Sequence, residues 1–251
     1  MDLGLRGKAV VVTGASRGIG RAVARAFAAE GANLAICARG ADGLRDAVDE
    51  FRKTGSQVHD AVVDVADAAA LDAFLEQAHA TFGRIDVLVN NVATFNMGND
   101  ETAWQEALNT TLMSYVRATG KVVPWMTAAG GGSIVHNVSI AALESGWPAT
   151  YAAAKAALLS HSKTLSAELA ASKIRINSVT PGSIEFPGGA WDHFKRVDRA
   201  FYDRVLATVP AGRFGRPEEV ANAVVFLASD RASWITGAVL TIDGGQHRGN
   251  L

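Results

Sequence analysis

Cysteine is almost absent from this chain, and it has neither a long apolar run nor a large excess of charge of one sign. The single cysteine among 251 residues, Cys37, has no partner for an internal disulfide, which fits a reducing compartment. No apolar stretch is long enough to span a bilayer, and residues 1–8 lack the apolar centre of a signal peptide. A net charge of -1 gives no attraction to nucleic acid or to an anionic membrane. We therefore expect a cytoplasmic protein that binds neither nucleic acid nor membranes.

The chain does contain a regular alternation of short β-branched runs with helical patterns. No linker, repeat or low-complexity tract divides it, and 49% hydrophobic with 20% charged residues is typical of a globular protein. Strands are predicted at residues 8–13, 33–38, 58–63, 85–90, 133–138, 175–180 and 238–242, and helices at 19–30, 41–54, 67–82, 102–129, 150–171 and 217–228. This order predicts an α/β fold of the Rossmann type, in which a single domain over residues 1–251 holds a doubly wound, parallel, seven-stranded sheet with helices on both faces.

A glycine-rich turn joins the first predicted strand to the first predicted helix. Its glycines, Gly14, Gly18 and Gly20, are spaced Gly-x3-Gly-x-Gly. A tight turn before a helix lets the backbone approach a pyrophosphate, and the free N–H groups and positive dipole end of the helix attract the anion. The turn predicts a dinucleotide site formed by Gly14, Ser16, Arg17, Gly18, Ile19 and Gly20.

The end of the second strand indicates which dinucleotide binds. A carboxylate at this point would bind the adenosine ribose and repel a 2′-phosphate, but the chain has Ala38 there, followed by Arg39. Arg39 and Arg17 favour the phosphorylated cofactor, because guanidinium binds phosphate through paired hydrogen bonds. NADP(H) is therefore the preferred cofactor and NAD(H) a possible one, unless Arg39 only caps a strand at the surface. Asp64 and Val65, after the third strand, are placed to contact adenine, although an aspartate there also forms turns.

Tyr151 and Lys155 stand one helical turn apart, and Ser139 lies at the end of the fifth predicted strand. A free phenol has a pKa of about 10. A neighbouring ammonium and an oxidised nicotinamide both favour the phenolate, so we expect them to lower the pKa of Tyr151. Ser139 can orient a substrate oxygen toward Tyr151, and Lys155 can hold the nicotinamide ribose. A tyrosine and a lysine at this spacing also occur as a surface pair, but Ser139 on the ligand side of the sheet favours catalysis.

With these motifs in place, the chain resembles the short-chain dehydrogenase/reductase family in its compact form, over nearly its whole length. The resemblance is carried by the glycine turn, Asp64-Val65, Asn90-Asn91-Val92-Ala93, Ser139, Tyr151-x3-Lys155, Pro181-Gly182 and Asp243-Gly244-Gly245. It implies hydride transfer between NAD(P) and an alcohol or carbonyl, without a metal. It also implies a homotetramer or homodimer with helices 102–129 and 150–171 packed across subunits. Further cofactor contacts are implied at Asn91, Val92, Ala93, Pro181, Gly182 and Ile184.

The chain departs from the family pattern at three places. Val92 and Ala93 replace the usual Ala-Gly after the fourth strand, which places bulkier groups beside the nicotinamide. An ungapped alignment of the long helix puts Thr111 at the position of the family's catalytic asparagine, so we assign the proton relay to Thr111 rather than to Asn109. Phe186 stands where the family often has a threonine that binds the cofactor's carboxamide.

The segment at about 183–210 is rich in aromatic residues and is interpreted as a lid over the substrate. The predicted substrate pocket consists of Phe95, Leu143, Phe186 and Trp191, whereas Phe201 and Tyr202 are expected to pack on the core. Glu144 and Glu185 supply polar contacts or lie at the surface, and His136 and His161 are assigned structural roles, because Tyr151 already fills the acid/base role.

The favoured function is reduction of a ketone or 3-oxo substrate with NADPH, with Tyr151 as proton donor. One alternative is an NAD-dependent dehydrogenase that oxidises a cyclic alcohol or dihydrodiol, which the Asn-Asn-Val sequence and Thr111 keep open. A third reading is a dinucleotide-sensing regulator without turnover, which would be expected to lack Tyr151 or Lys155.

Overall fold

The structure, a computed structural model, describes residues 2–249 and contains one seven-stranded sheet in which every pair of neighbouring strands is parallel. The strands are β1 (Ala9–Thr13), β2 (Asn33–Ala38), β3 (Val58–Val62), β4 (Val87–Asn90), β5 (Gly132–Asn137), β6 (Ile174–Pro181) and β7 (Val239–Ile242). Their order across the sheet is β3-β2-β1-β4-β5-β6-β7. The predicted doubly wound fold is confirmed.

Helices cover both faces of this sheet. They are α1 (Gly18–Ala29), α2 (Ala41–Arg52), α3 (Ala68–Phe82), α4 (Glu101–Ala107), α5 (Ser114–Ala128), α6 (Ala149–Glu168), α7 (Ala190–Val197), α8 (Arg199–Leu206) and α9 (Pro217–Ala228). Consecutive residues of β1 show why its sequence is apolar throughout: Val10 and Val12 pack with α1 and α9, whereas Val11 packs with α3 and α5. All three valines are fully buried.

The chain reverses its winding between β1 and β4, because β1 pairs with β2 on one side and with β4 on the other. In sheets of this kind the crevice at such a switch point, outside the carboxyl ends of the strands, is where ligands bind. The glycine turn, which follows β1, and Asn91, which follows β4, therefore lie at the two sides of this crevice.

Two predicted segments differ from the structure. The predicted helix at 102–129 is broken by a π-helical turn at Leu108–Met113, which separates α4 from α5. This wider turn carries two buried residues, Thr110 and Thr111, and the Thr111 hydroxyl accepts a hydrogen bond from the backbone N–H of Thr94 (3.1 Å). The predicted lid segment contains two helices that the sequence analysis did not assign, α7 and α8.

No helix among residues 2–249 combines the length and the apolarity needed to cross a membrane.

Candidate active site

The glycine turn adopts a backbone that side chains would not permit. Gly14 and Gly18 have φ values of 69° and 56°, in the left-handed region that favours glycine. A Cβ atom on Gly20 would overlap the carbonyl oxygen of Gly14. The start of the turn is fixed by β2, because the Cys37 carbonyl accepts hydrogen bonds from the N–H groups of Gly14 (2.8 Å) and Ala15 (3.1 Å).

Cys37 itself lies in β2 and is completely buried. Its burial raises the pKa of the thiol to about 12, so the group is a neutral thiol at ordinary pH. The backbone of this residue therefore supports the glycine turn, while its side chain belongs to the core.

Asn91 ties three strand ends together. Its backbone N–H donates to Oγ1 of Thr13 at 3.0 Å. Its side-chain Nδ2 donates to the carbonyl oxygen of Thr13, also at 3.0 Å. Its Oδ1 accepts from Nδ2 of Asn137 at 2.8 Å. The Asn91 side chain thus holds the ends of β1, β4 and β5 in register and forms part of the crevice wall.

The crevice opens into one continuous cavity of about 1190 Å³. Pockets for a single small ligand have volumes of roughly 300–1,000 Å³, so this cavity has room for a dinucleotide and a small substrate together. Two polar atoms in residues of its wall, Oδ1 of Asn137 and Oγ of Ser183, are buried and have no hydrogen-bond partner among the described residues. Buried polar atoms are normally paired, so these two fit a polar ligand in the cavity.

Most of the predicted cofactor residues line this cavity, namely Gly14, Ser16, Arg17, Ile19, Gly20, Arg39, Val65, Asn91, Val92, Ala93, Tyr151, Lys155, Pro181, Gly182 and Ile184. Gly18, Asp64, Leu143 and Thr111 are not part of its wall. The Asp64 carboxylate accepts a hydrogen bond from the N–H of Ala66 (3.0 Å). This contact forms a turn after β3, which was the alternative to a contact with adenine.

Ser139, Tyr151 and Lys155 all line the cavity. Ser139 follows β5, and the other two residues lie one turn apart at the start of α6. The surrounding protein withdraws the Tyr151 phenol from water and raises its pKa, and a hydrogen bond with the Ser139 side chain lowers the pKa by less. We expected a lowered pKa for Tyr151. For the protein groups alone this is wrong, because desolvation of the phenol raises the pKa by more than the hydrogen bond with Ser139 lowers it.

Lys155 is only 1% exposed, and burial lowers the pKa of its ammonium to about 7. Its Nζ donates to the Asn137 carbonyl (2.6 Å) and to the Tyr115 hydroxyl (3.4 Å). Tyr115, in the first turn of α5, was not selected by sequence reasoning. The available signal was its position four residues after Thr111, which places it on the same helix face as the relay position.

The two candidates for the relay position serve different loops in the structure. Thr111 is fully buried and its hydroxyl holds the loop after β4, through Thr94. Asn109 donates from Nδ2 to the carbonyl of Ala66 (3.1 Å), in the loop after β3. The hydrogen bonds of the Lys155 ammonium within residues 2–249 go to neither of them.

Aromatic side chains form the outer wall of the cavity. Phe95 packs edge-on against Tyr151, with ring centroids 5.2 Å apart. Phe201, which was expected to pack on the core, instead lines the cavity, where its ring stacks on Trp191 with centroids 5.9 Å apart. Phe194 of the aromatic segment also lines the wall, as do Met97 and Trp147, which were not predicted.

The segment predicted to be the lid contacts the glycine turn. The Phe186 ring covers Gly18 closely enough that a Cβ there would overlap it, and Arg17 donates to the carbonyl of Gly188 (3.0 Å). At the position where the family often has a threonine, this chain therefore has the ring of Phe186, which packs on the glycine turn.

His136 is fully buried beneath the site and hydrogen bonded at both ring nitrogens, to Ser162 (2.9 Å) and Thr119 (3.3 Å). Burial lowers the pKa of His136 to about 3, so the ring is neutral. Within residues 2–249, no group of three or more His, Cys, Asp or Glu side chains is arranged to hold a metal ion.

The fold and this site define a class of protein: a nicotinamide-dependent oxidoreductase with a serine, tyrosine and lysine at a dinucleotide crevice. The model of the enoyl-(acyl carrier protein) reductase family matches residues 14–247. The chain belongs to the short-chain dehydrogenase/reductase family.

Three relatives illustrate the range of the family. The 3-oxoacyl-[acyl-carrier-protein] reductase of Chlamydia muridarum is 39% identical over 244 residues, which cover 95% of this chain and 96% of the relative. The structure of L-sorbose reductase from Gluconobacter frateurii with NADPH and L-sorbose has a TM-score of 0.91 at 37% identity and covers 99% of this chain and 100% of its own. A 7α-hydroxysteroid dehydrogenase with NADH and 7-oxo glycochenodeoxycholic acid has a TM-score of 0.90 at 31% identity, with 97% and 96% covered.

Proposed function

We propose that the protein reduces a ketone or 3-oxo substrate with NADPH and that Tyr151 donates the proton. The observation that carries the proposal is that Ser139, Tyr151 and Lys155 line one cavity with room for a dinucleotide and a small substrate. Burial raises the pKa of Tyr151, so the group is protonated at neutral pH and suited to donate to a developing alkoxide. Two relatives, by their printed names, reduce a 3-oxoacyl group and a sugar ketone, which supports the same direction.

In this proposal each polar group of the site has one task. The bound cofactor supplies the hydride. Ser139 holds the carbonyl oxygen of the substrate within reach of the Tyr151 hydroxyl, and Lys155 holds the nicotinamide ribose and keeps positive charge near the phenol. The alignment of the sequence assigns Thr111 to the proton relay. Residues 183–210, which include α7 and α8, act as the lid over the substrate.

The preference for NADPH rests on the two arginines at the adenosine end of the cavity. Arg39 and Arg17 both line the cavity, and the neighbouring strand end carries Ala38 in place of an acid. Arg39 makes no ion pair within residues 2–249, which leaves its guanidinium available to a 2′-phosphate.

Arg39→Asp is expected to weaken NADPH binding by about 100-fold and to leave NADH binding within about threefold, because it removes a phosphate contact and adds a repelling charge. Dissociation constants of both cofactors, measured by nicotinamide fluorescence, check this. Arg52→Asp makes the same charge change on α2 outside the cavity and should alter neither constant. Tighter binding of NADH than NADPH by the unchanged protein would contradict the assignment.

A second candidate, oxidation of a cyclic alcohol with NAD, is favoured by the likeness to the hydroxysteroid dehydrogenase that binds NADH. A substrate panel separates the two. Ketones, ketoses and 3-oxoacyl thioesters are offered with NADPH, and cyclic alcohols and dihydrodiols with NAD, while the nicotinamide absorbance is followed. The proposal requires faster turnover in the first set. The absence of turnover in both sets would favour a sensing role, against which the presence of Ser139, Tyr151 and Lys155 argues.

A further inference from the structure

We infer that Tyr115 is a positioning residue for Lys155: its hydroxyl fixes the ammonium group at the carbonyl end of β5 and favours its charged form. The inference rests on the proposed function, because it assigns Lys155 a task toward the cofactor ribose and the Tyr151 phenol. The sequence motifs of the family do not include Tyr115, and no motif discussed above selects it.

The hydrogen bonds around Tyr115 give its hydroxyl a defined orientation. The group has one hydrogen, which it donates to the Asn137 carbonyl at 2.9 Å. Its lone pairs are then left to accept from Lys155 Nζ, 3.4 Å away. The same carbonyl also accepts from Lys155 at 2.6 Å, so phenol, ammonium and carbonyl form a closed triangle.

Tyr115 is held rigidly from behind. The residue is 1% exposed, and its ring packs edge-on against His136, with centroids 5.2 Å apart. Burial raises the pKa of Tyr115 well above that of a free phenol, so the hydroxyl remains neutral and cannot take up the negative charge that Tyr151 is able to carry. Its part is therefore that of a fixed acceptor, not of a second acid.

The ammonium needs such an acceptor because its surroundings disfavour charge. Burial is what lowers the pKa of Lys155, and no carboxylate among the described residues opposes it. The titratable groups that face it are Tyr115 from α5, Tyr151 from α6 and the neutral His136 from β5. The hydroxyl of Thr111, the residue assigned to the proton relay, accepts from the N–H of Thr94, and the hydrogen bonds of the ammonium within residues 2–249 go to other groups.

Tyr115→Phe tests the inference, because phenylalanine keeps the ring packing and removes only the hydroxyl. Without this acceptor the charged form of Lys155 loses stabilisation, so its pKa falls. We expect NADPH binding to weaken at a pH about half a unit lower than in the unchanged protein, and the fall of kcat/KM for reduction to move to lower pH by a similar amount, because the neutral lysine supports neither the cofactor ribose nor the phenol. kcat at neutral pH should drop about fivefold.

The matched control is Tyr202→Phe, since Tyr202 is the third tyrosine of the chain. Its hydroxyl binds Glu185 (2.9 Å) in the lid region and lies outside the cavity wall. This variant should keep both pH profiles. Thr111→Val serves as the competitor, because it removes the hydroxyl at the aligned relay position.

Displacement of both pH midpoints to lower pH in Tyr115→Phe alone supports the inference. Unchanged midpoints in a Tyr115→Phe protein with unaltered thermal stability overturn the inference. A displacement that appears in Thr111→Val but not in Tyr115→Phe overturns it as well. The NADPH binding profile requires no turnover. A protein that binds NADPH with the expected displacement but reduces no carbonyl would therefore disprove the proposed reaction and leave the role of Tyr115 standing.

Discussion

Tyr151→Phe is expected to lower kcat for carbonyl reduction by about 1,000-fold or more, within the range of a lost general acid. The ring remains, so its edge contact with Phe95 and the shape of the cavity wall are retained. Only the hydroxyl that donates the proton is removed, and NADPH affinity should stay within about threefold of the unchanged protein, since a single hydrogen bond contributes little net.

Two measurements on the same preparation check this result: turnover at saturating substrate and NADPH binding by fluorescence. A matching loss of cofactor binding would mean that the variant is damaged more widely. Retention of more than a tenth of the original kcat would contradict the role of Tyr151 as proton donor, whatever the substrate.

Lys155→Met should damage both functions of the site, because Lys155 serves the phenol and the cofactor ribose. Methionine retains an unbranched side chain that fills a buried space and removes the charge. We expect kcat to fall about 100-fold and NADPH affinity about tenfold, the losses of a proton-transfer group and of charged hydrogen bonds. An unaltered dissociation constant for NADPH would contradict the contact with the ribose.

The same variant has a consequence for stability that is independent of catalysis. The pKa of Lys155 is about 7 in the folded protein and 10.5 for an unperturbed lysine, so the unfolded chain binds more protons between these two pH values. The free energy of unfolding therefore gains a contribution that rises with pH from about 7 to 10.5, while below 7 the cost of burying the charge is fully present. Thermal unfolding of Lys155→Met across this window should lack that rise.

The parts of the fold and site that the sequence predicted are those with a local physical cause. β1 is a continuous apolar run because both faces of the sheet are covered there, and Gly14 and Gly20 are required by turn geometry that shows in their spacing. Ser139, Tyr151 and Lys155 could be assigned together because strand order alone places the end of β5 beside the start of α6.

The parts that were missed depend on contacts between distant segments. Tyr115, at the start of α5, meets Lys155, on α6, across 40 residues of chain. Phe201 lines the cavity because α7 and α8 pack against each other, an arrangement that the pattern of either short helix alone does not predict. The raised pKa of Tyr151 was also missed, since desolvation depends on how densely the protein surrounds a group and not on its sequence neighbours.

The reactivity of Cys37, the single cysteine of the chain, reports local unfolding of the protein around β2. Since the backbone of Cys37 anchors Gly14 and Ala15, and its sulfur is sealed in the core with a pKa of about 12, a thiol reagent reacts only with molecules in which this part of β2 has separated from its neighbours. The labelling rate therefore counts transient openings directly beneath the glycine turn. A dinucleotide that closes on the turn must slow that rate, with no substrate present and no reaction taking place.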